Sequence, residues 1–241
     1  MPEAVQTFVD TGGLDDAREV QLDILLSYER DISKHLTHRE TEYCLGAFHS
    51  IPGHLGQENK KFIFGNIAPS ARASNYRFAI TWLEQTGIAL RVPRVSKPGV
   101  PLSAYADPQA FKLFMLDIGL LGALNGIDSA SVIEGNKIFV EFKGALAEQY
   151  VCQQLVANGL SPFYWSAKNS TGEVDFLVQQ STQVYPIEVK AEENLRAKSL
   201  RAFSAKFDNK KCRRFSLSPY RDQDWMINIP LYAVCVLDAW S

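Results

Sequence analysis

The residues best suited to chemistry in this 241-residue chain are Glu148, Asp175, Glu188 and Lys190. In Ile187-Glu188-Val189-Lys190 the two-residue period of a strand sets Glu188 and Lys190 on one face and Ile187 and Val189 on the other. Asp175 lies 13 residues before Glu188, across the polar turn Gln180 to Gln183, in a run able to pair with it as a hairpin. A register that brings Asp175 beside Glu188 is therefore physically easy. Two carboxylates that close repel unless a cation lies between them. Oxygen ligands of this kind suit Mg²⁺, or Mn²⁺ in its place, and Mg²⁺ keeps several waters and takes one or two protein carboxylates. Lys190, beside the attacking water and a phosphate, would orient the nucleophile or stabilise developing negative charge. Glu148 is a third acid, on a helical stretch whose neighbours Gly144, Val151, Cys152 and Leu155 are small or apolar. A carboxylate on such a face needs a partner. Spacing alone also fits a plainer arrangement, the solvated face of a two-stranded ribbon with an ordinary Glu–Lys pair.

The elements that must position these groups alternate between helix and strand. Phe142 to Asn158 has the rows Phe142, Leu146, Tyr150 and Ala147, Val151, Leu155, and ends at Asn158-Gly159, so it predicts a helix. Phe163-Tyr164-Trp165 is strand-like. Glu173 to Gln179 alternates, with Val174, Phe176 and Val178 on one side and Asp175 and Leu177 on the other. Val184 to Ala191 is the next strand, Lys198 to Phe207 a helix with Leu200, Phe203 and Phe207 inward, and Arg213 to Leu217 and Leu231 to Leu237 two further strands. The fold class expected is α+β or α/β, with a mixed sheet flanked by helices.

The first half has a different rhythm. Residues 1 to about 64 read as helical, with Val20, Ile24 and Tyr28 in one row, Asp15 or Asp16 as a cap, and further turns over Glu40 to Phe48 and Leu55 to Phe64. Ser74 is the candidate cap of a helix to Thr86, lined by Tyr76, Ile80 and Leu83 and stopped by Gly87. Strand-like Ile88 to Val92, the breakers Pro93, Pro98, Gly99 and Pro101, strand-like Phe111 to Leu116 and a helix capped by Asp117 follow. That order matches a small winged-helix unit. The expected organisation is a helical region 1–64, a winged-helix-like region 65–135 and a third domain 136–241.

Glu173-Val174-Asp175-Phe176-Leu177-Val178 followed by Pro186-Ile187-Glu188-Val189-Lys190, with Glu148 upstream, resembles the PD-(D/E)xK nuclease superfamily. More narrowly, Met1-Pro2-Glu3-Ala4-Val5, Leu25 to Lys34, Asn59-Lys60-Lys61-Phe62, Lys143 to Glu148 and Ile229 to Ala233 resemble the C-terminal part of a bacterial and archaeal family of AAA+ ATP-binding proteins. In that family an ATPase module precedes a domain of unknown function with a nuclease-like ending. The resemblance implies a restriction-endonuclease-like third domain and a Mg²⁺- or Mn²⁺-dependent nuclease acting on DNA, with Asp175, Glu188 and Lys190 catalytic and Glu148, Asp175 and Glu188 holding the metal. It also places Met1-Pro2-Glu3 near the end of the ATPase module. No Gly-x-x-x-x-Gly-Lys-Ser/Thr motif occurs, so ATP hydrolysis is not expected, and the chain reads as an excised fragment or as a gene that has lost its motor.

Net charge is −2, so no global basic field points to nucleic acid. From Lys190 to Arg221, however, ten Lys or Arg stand against three acids, a stripe suited to a phosphate backbone or simply to a solvated helix face. Lys168, Lys198, Arg201, Arg213 and Arg214 are the candidate nucleic-acid contacts. Glu173 reads as a substrate-side or structural acid. His35, His38, His49, His54 and Cys44 cluster in sequence without the spacing of a zinc site. Four scattered cysteines, no signal peptide and no apolar run long enough to span a bilayer lead to a cytoplasmic expectation without membrane partners. A non-catalytic nucleic-acid or partner-binding module that once regulated an ATPase is the alternative, and self-association through a former ATPase interface is a third.

Overall fold

A computed structural model describes residues 2–127, 137–167, 172–191 and 197–236, with side chains from 142 onward in the stretch that starts at 137. Helices come first: α1 (Pro2–Thr11), α2 (Leu14–His35), α3 (His38–Leu55), α4 (Ala73–Gln85) and α5 (Ile118–Leu124). Later helices are α6 (Lys137–Ala157) and α7 (Lys198–Phe207). The strands are β1 (Ala89–Val95), β2 (Ala106–Met115), β3 (Phe163–Ser166), β4 (Glu173–Gln180), β5 (Gln183–Val189), β6 (Cys212–Ser216), β7 (Arg221–Gln223) and β8 (Met226–Pro230). They form one eight-stranded sheet in the order β2-β1-β3-β4-β5-β6-β8-β7. It is mixed: β1–β3, β5–β6 and β6–β8 run parallel, whereas β3–β4, β4–β5 and β7–β8 run antiparallel. The expected class, helices first and then a mixed sheet flanked by helices, is what forms. Of the two strands read as a wing, β2 lies at one edge of this sheet and β1 next to it, paired with β3.

The chain divides into two compact units. The first holds Met1–Arg91 and Leu113–Leu146, the second Val92–Lys112 and Ala147–Ser241. Within the first, α3 begins with a capping box in which the Glu40 amide donates to Thr37 and the Thr37 amide donates to the Glu40 carboxylate. Asp117 caps α5 by accepting from the Gly119 and Leu120 amides, as its position predicts. The α4 face Tyr76, Ile80 and Leu83 is buried as expected.

Several local expectations give way. The N-cap of α2 is Gly13, ahead of Asp15 and Asp16. Ser74 lies inside α4, where its hydroxyl meets Asn75 instead of capping. The helix expected from Leu55 to Phe64 is absent, because α3 stops at Leu55 and Asn59 turns back to accept from the Lys61 amide, a local bond that competes with helix. The strand expected from Leu231 is a 3-10 turn, Leu231–Ala233, and the strand lies earlier, at β8, where Asn228 breaks the apolar pattern that would have marked it. Residue 237 lies outside the described residues.

In the second unit β4 and β5 form the hairpin expected across Gln180 to Gln183, with Phe176 opposite Ile187 and Gln180 opposite Gln183. The connection from β5 to its parallel neighbour β6 runs through α7, as parallel pairing requires a crossover. Leu200 and Phe203 of α7 join Trp165, Val174 and Leu177 in one apolar cluster, with the Trp165 and Phe203 rings 5.1 Å apart. Among the described residues no helix is long and apolar enough to cross a membrane.

Candidate functional site

Strand β4 is not regular where it carries Asp175. Phe163 of β3 faces Leu177 and Trp165 faces Val174, so β4 holds one extra residue between Val174 and Leu177. This bulge puts Val174 and Leu177 into the same core cluster, which strict alternation forbids, and corrects the expected grouping of Leu177 with Asp175. Bulges re-aim side chains. Here the Asp175 carboxylate turns toward the end of β5 and accepts from the Val189 amide at 2.7 Å.

Glu188 precedes Val189 and is 6% exposed, and one of its oxygens takes the Lys190 ammonium at 2.6 Å. Its other oxygen, Oε2, is buried without a hydrogen-bond partner. Glu148 reaches the same region from α6, whose Val151, Cys152 and Leu155 are fully buried around it. Glu148 and Glu188 both act on Asp175: burial first, then these two acids, push the Asp175 carboxyl well above its usual range, against Lys112 and the Val189 amide. Burial also raises Glu188, with Lys190 opposing and Glu148 reinforcing. Lys190 is raised because its acidic neighbours, led by Glu188, outweigh the burial that disfavours its charge.

The residue that sequence reading missed is Lys112. It is fully buried in β2, its ammonium 2.5 Å from Glu173 and 3.6 Å from Glu148, over the Tyr164 ring at 5.1 Å. Burial works against its charge, but Glu148, Glu173 and Asp175 more than offset that and raise it. The signal was present: one lysine in Phe111-Lys112-Leu113-Phe114-Met115, six buried positions in a row with Ala110. A lysine in such a run is paired or misplaced. Glu173, read as structural or substrate-side, is thereby a partner of Lys112.

The candidate phosphate contacts separate into three groups. Lys198 and Arg201 are exposed on α7, with Arg201 above the Trp225 ring. Lys168 lies outside the described residues. Arg213 and Arg214 are buried, at 4% and 0% exposure. Arg213 stacks over Tyr185 and donates to the Cys212 carbonyl, and Arg214 donates to Asn228. Arg214 also stands opposite Glu188 in the β5–β6 register, which makes it a further cation beside the acids and not a surface fork. Of the proposed basic stripe, then, the α7 part faces solvent and the β6 part does not.

A divalent ion fits part of this donor set. The Glu188 oxygen left without a hydrogen bond and the raised Asp175 carboxyl would each be stabilised by a cation. Two carboxylates are an ordinary protein share for Mg²⁺. Glu148 is different, because Lys112 already holds it. Among the described residues no three His, Cys, Asp or Glu side chains are grouped so as to hold a metal ion. That includes the histidine segment. His54 has its ring nitrogens on the Ser50 and Ile63 carbonyls, His49 meets Glu29, His38 meets Glu42, and burial pushes the Cys44 thiol up to about 12.

Residues 1–131 match the family described as Domain of unknown function (DUF8612). Residues 143–232, which include Glu148, Asp175, Glu188 and Lys190, match Domain of unknown function (DUF4143), typically the C-terminal part of AAA-ATPase-associated proteins. No curated protein and no solved structure matches the chain.

Proposed function

For this chain, which belongs to the DUF8612 family, we propose that the acid cluster of the second unit is a divalent-metal site for hydrolysis of phosphodiester bonds in DNA. The observation that carries the reading is the end of the β4–β5 hairpin: Asp175 bulged toward Val189, Glu188 with a buried unsatisfied oxygen, and Lys190 on its other oxygen. Asp175 and Glu188 would hold Mg²⁺ or Mn²⁺ directly, and Glu148 would act through water. The ion, when bound, would activate water and stabilise negative charge on the phosphate.

The chain's own groups do the rest. Lys190 carries a full positive charge at neutral pH and is about one-third exposed, so it can meet a phosphate oxygen while still anchored to Glu188. The Val189 amide fixes the Asp175 rotamer, so that carboxylate is oriented before any ligand arrives. Exposed Lys198 and Arg201 on α7 supply phosphate-backbone contacts. The nuclease-like ending of an AAA+-associated protein, and a partnership with an ATPase module, belong to the same proposal.

The test is nicking of supercoiled plasmid in Mg²⁺ or Mn²⁺. The native chain should nick, and Asp175→Ala and Glu188→Gln should each lower the rate at least about 100-fold, as expected for loss of a catalytic group. Equal nicking by both variants would sink the assignment. A second reading draws on the Lys112 pairing with Glu148 and Glu173, which already neutralises part of the cluster. On that reading the unit is a non-catalytic DNA- or partner-binding module. Calorimetric titration separates the two. The nuclease reading requires Mn²⁺ binding that is lost in Glu188→Gln. The binding-module reading requires DNA affinity that is salt-sensitive and indifferent to chelator.

A further inference from the structure

Four carboxylates, from Glu148, Glu173, Asp175 and Glu188, act on one buried ammonium. Lys112 comes from an outer strand of the sheet, crosses the Tyr164 ring of β3 and ends between Glu173 of β4 and Glu148 of α6. Nothing else about an apolar strand calls for a lysine there. A methionine of similar length would fill the same space without charge. What the position requires is a cation, because acids from a helix and two strands, faced also by Lys190 and Arg214, still repel one another.

We infer that the Lys112 ammonium is a resident cation occupying the place that a metal ion would otherwise take between Glu148 and Glu173, so that these two acids are positioned by lysine and any divalent ion is confined to Asp175 and Glu188. The inference deepens the metal-site reading and rests on it only for the second half. Metal ions commonly work in pairs about 3.5–4 Å apart when they cleave phosphodiesters. In this chain one member of such a pair would be built into the polypeptide. Its ammonium carries one charge and cannot activate water as a metal does. Lys112 is thus a positioning residue, and the site is a one-metal site by construction.

The experiment counts Mn²⁺ bound to the full chain by electron paramagnetic resonance and equilibrium dialysis, for the native protein, Lys112→Met and Lys112→Arg, with circular dichroism to verify folding. The expected stoichiometry is one Mn²⁺ for the native chain, two for Lys112→Met and one for Lys112→Arg, with Mn²⁺ raising the Tm of Lys112→Met more than that of the native chain. If the native chain binds none and Lys112→Met binds one, the resident-cation inference stands and the metal-site reading of the hairpin fails. If folded Lys112→Met binds the same number as the native chain, the inference is overturned, and two ions on the native chain overturn it equally. Should Lys112→Met not fold, the triple variant that adds Glu148→Gln and Glu173→Gln decides. Recovered folding supports unbalanced acids as the cause, and continued failure to fold refutes it.

Discussion

The two units bury ionisable side chains in opposite ways. In the helical unit, apart from the Cys44 thiol and the Tyr76 phenol, the described buried ones are His54 and Asp117, and each meets backbone nearby: the His54 ring lies between the Ser50 and Ile63 carbonyls, and Asp117 accepts from the Gly119 and Leu120 amides. In the sheet unit Lys112, Glu148, Glu188, Arg213 and Arg214 are buried, and the acids among them face other charged side chains. Local backbone partners make a polar group part of the scaffold, because helix formation itself delivers the bonds. Charges that meet across a helix and several strands depend on partners brought together only by the tertiary fold. Such an arrangement is costly and sensitive to any missing partner, and groups of this kind concentrate where chemistry is done.

That contrast can be broken or sharpened by mutation. The largest effect should come from Lys112→Met, which strips a buried cation from among acids and should cost about 3–5 kcal/mol in urea unfolding. A loss under about 1 kcal/mol would show that the acids do not depend on it. Opposite in sign is Asp175→Asn, which should raise Tm at neutral pH. The sign follows from a carboxyl raised by burial and by Glu148 and Glu188 in the folded chain. Its stabilising effect is complete below the unfolded carboxyl's pKa and declines as pH rises through the raised folded value, so the gain from Asp175→Asn should shrink on acidification. Saturating Mn²⁺ should give the native chain a comparable gain; a Tm lowered by Asp175→Asn at neutral pH would contradict the electrostatic picture.

In the helical unit Asp117→Ala should cost about 1 kcal/mol, the ordinary value of one N-cap. A loss as large as that of Lys112→Met would erase the distinction between the units. The smallest change in stability, within about 0.5 kcal/mol, should follow Lys198→Gln with Arg201→Gln on the exposed face of α7. The same pair should weaken DNA binding and flatten the dependence of log Kd on log salt by about one for each phosphate no longer neutralised. An unchanged slope in a fluorescence-anisotropy titration would remove α7 from the interface.

Much of this was legible in the chain because it depends on near neighbours. The β4–β5 hairpin follows from a polar turn between two β-rich runs, and Asp117, Gly87 and Gly159 punctuate helices where expected, the two glycines with φ of +75°. Asp175 and Glu188 were legible as acids near the end of one hairpin because the turn between their strands is local. What escaped did so for nonlocal reasons. Arg213 and Arg214 look like a surface pair in sequence, but β6 has neighbours on both sides, β5 and β8, and all five of its residues are buried. The bulge at Asp175 is visible only against β3. Asn228 disguised β8, since its usefulness to Arg214, Ser216 and the Ser218 and Pro219 carbonyls exists only after folding.

By itself the order of residues determined the helical first half, the helix–strand alternation of the second, and the supply of acids and a lysine at the end of one hairpin. It did so through periodicity and turn chemistry, which act over a few residues. Tertiary structure alone decided which charges meet. Lys112 and Glu173 are 61 positions apart in the chain, and no local rule carries information over that distance. Their 2.5 Å contact exists because β2 and β4 lie in one sheet with α6 contributing Glu148, an outcome set by packing of the whole unit.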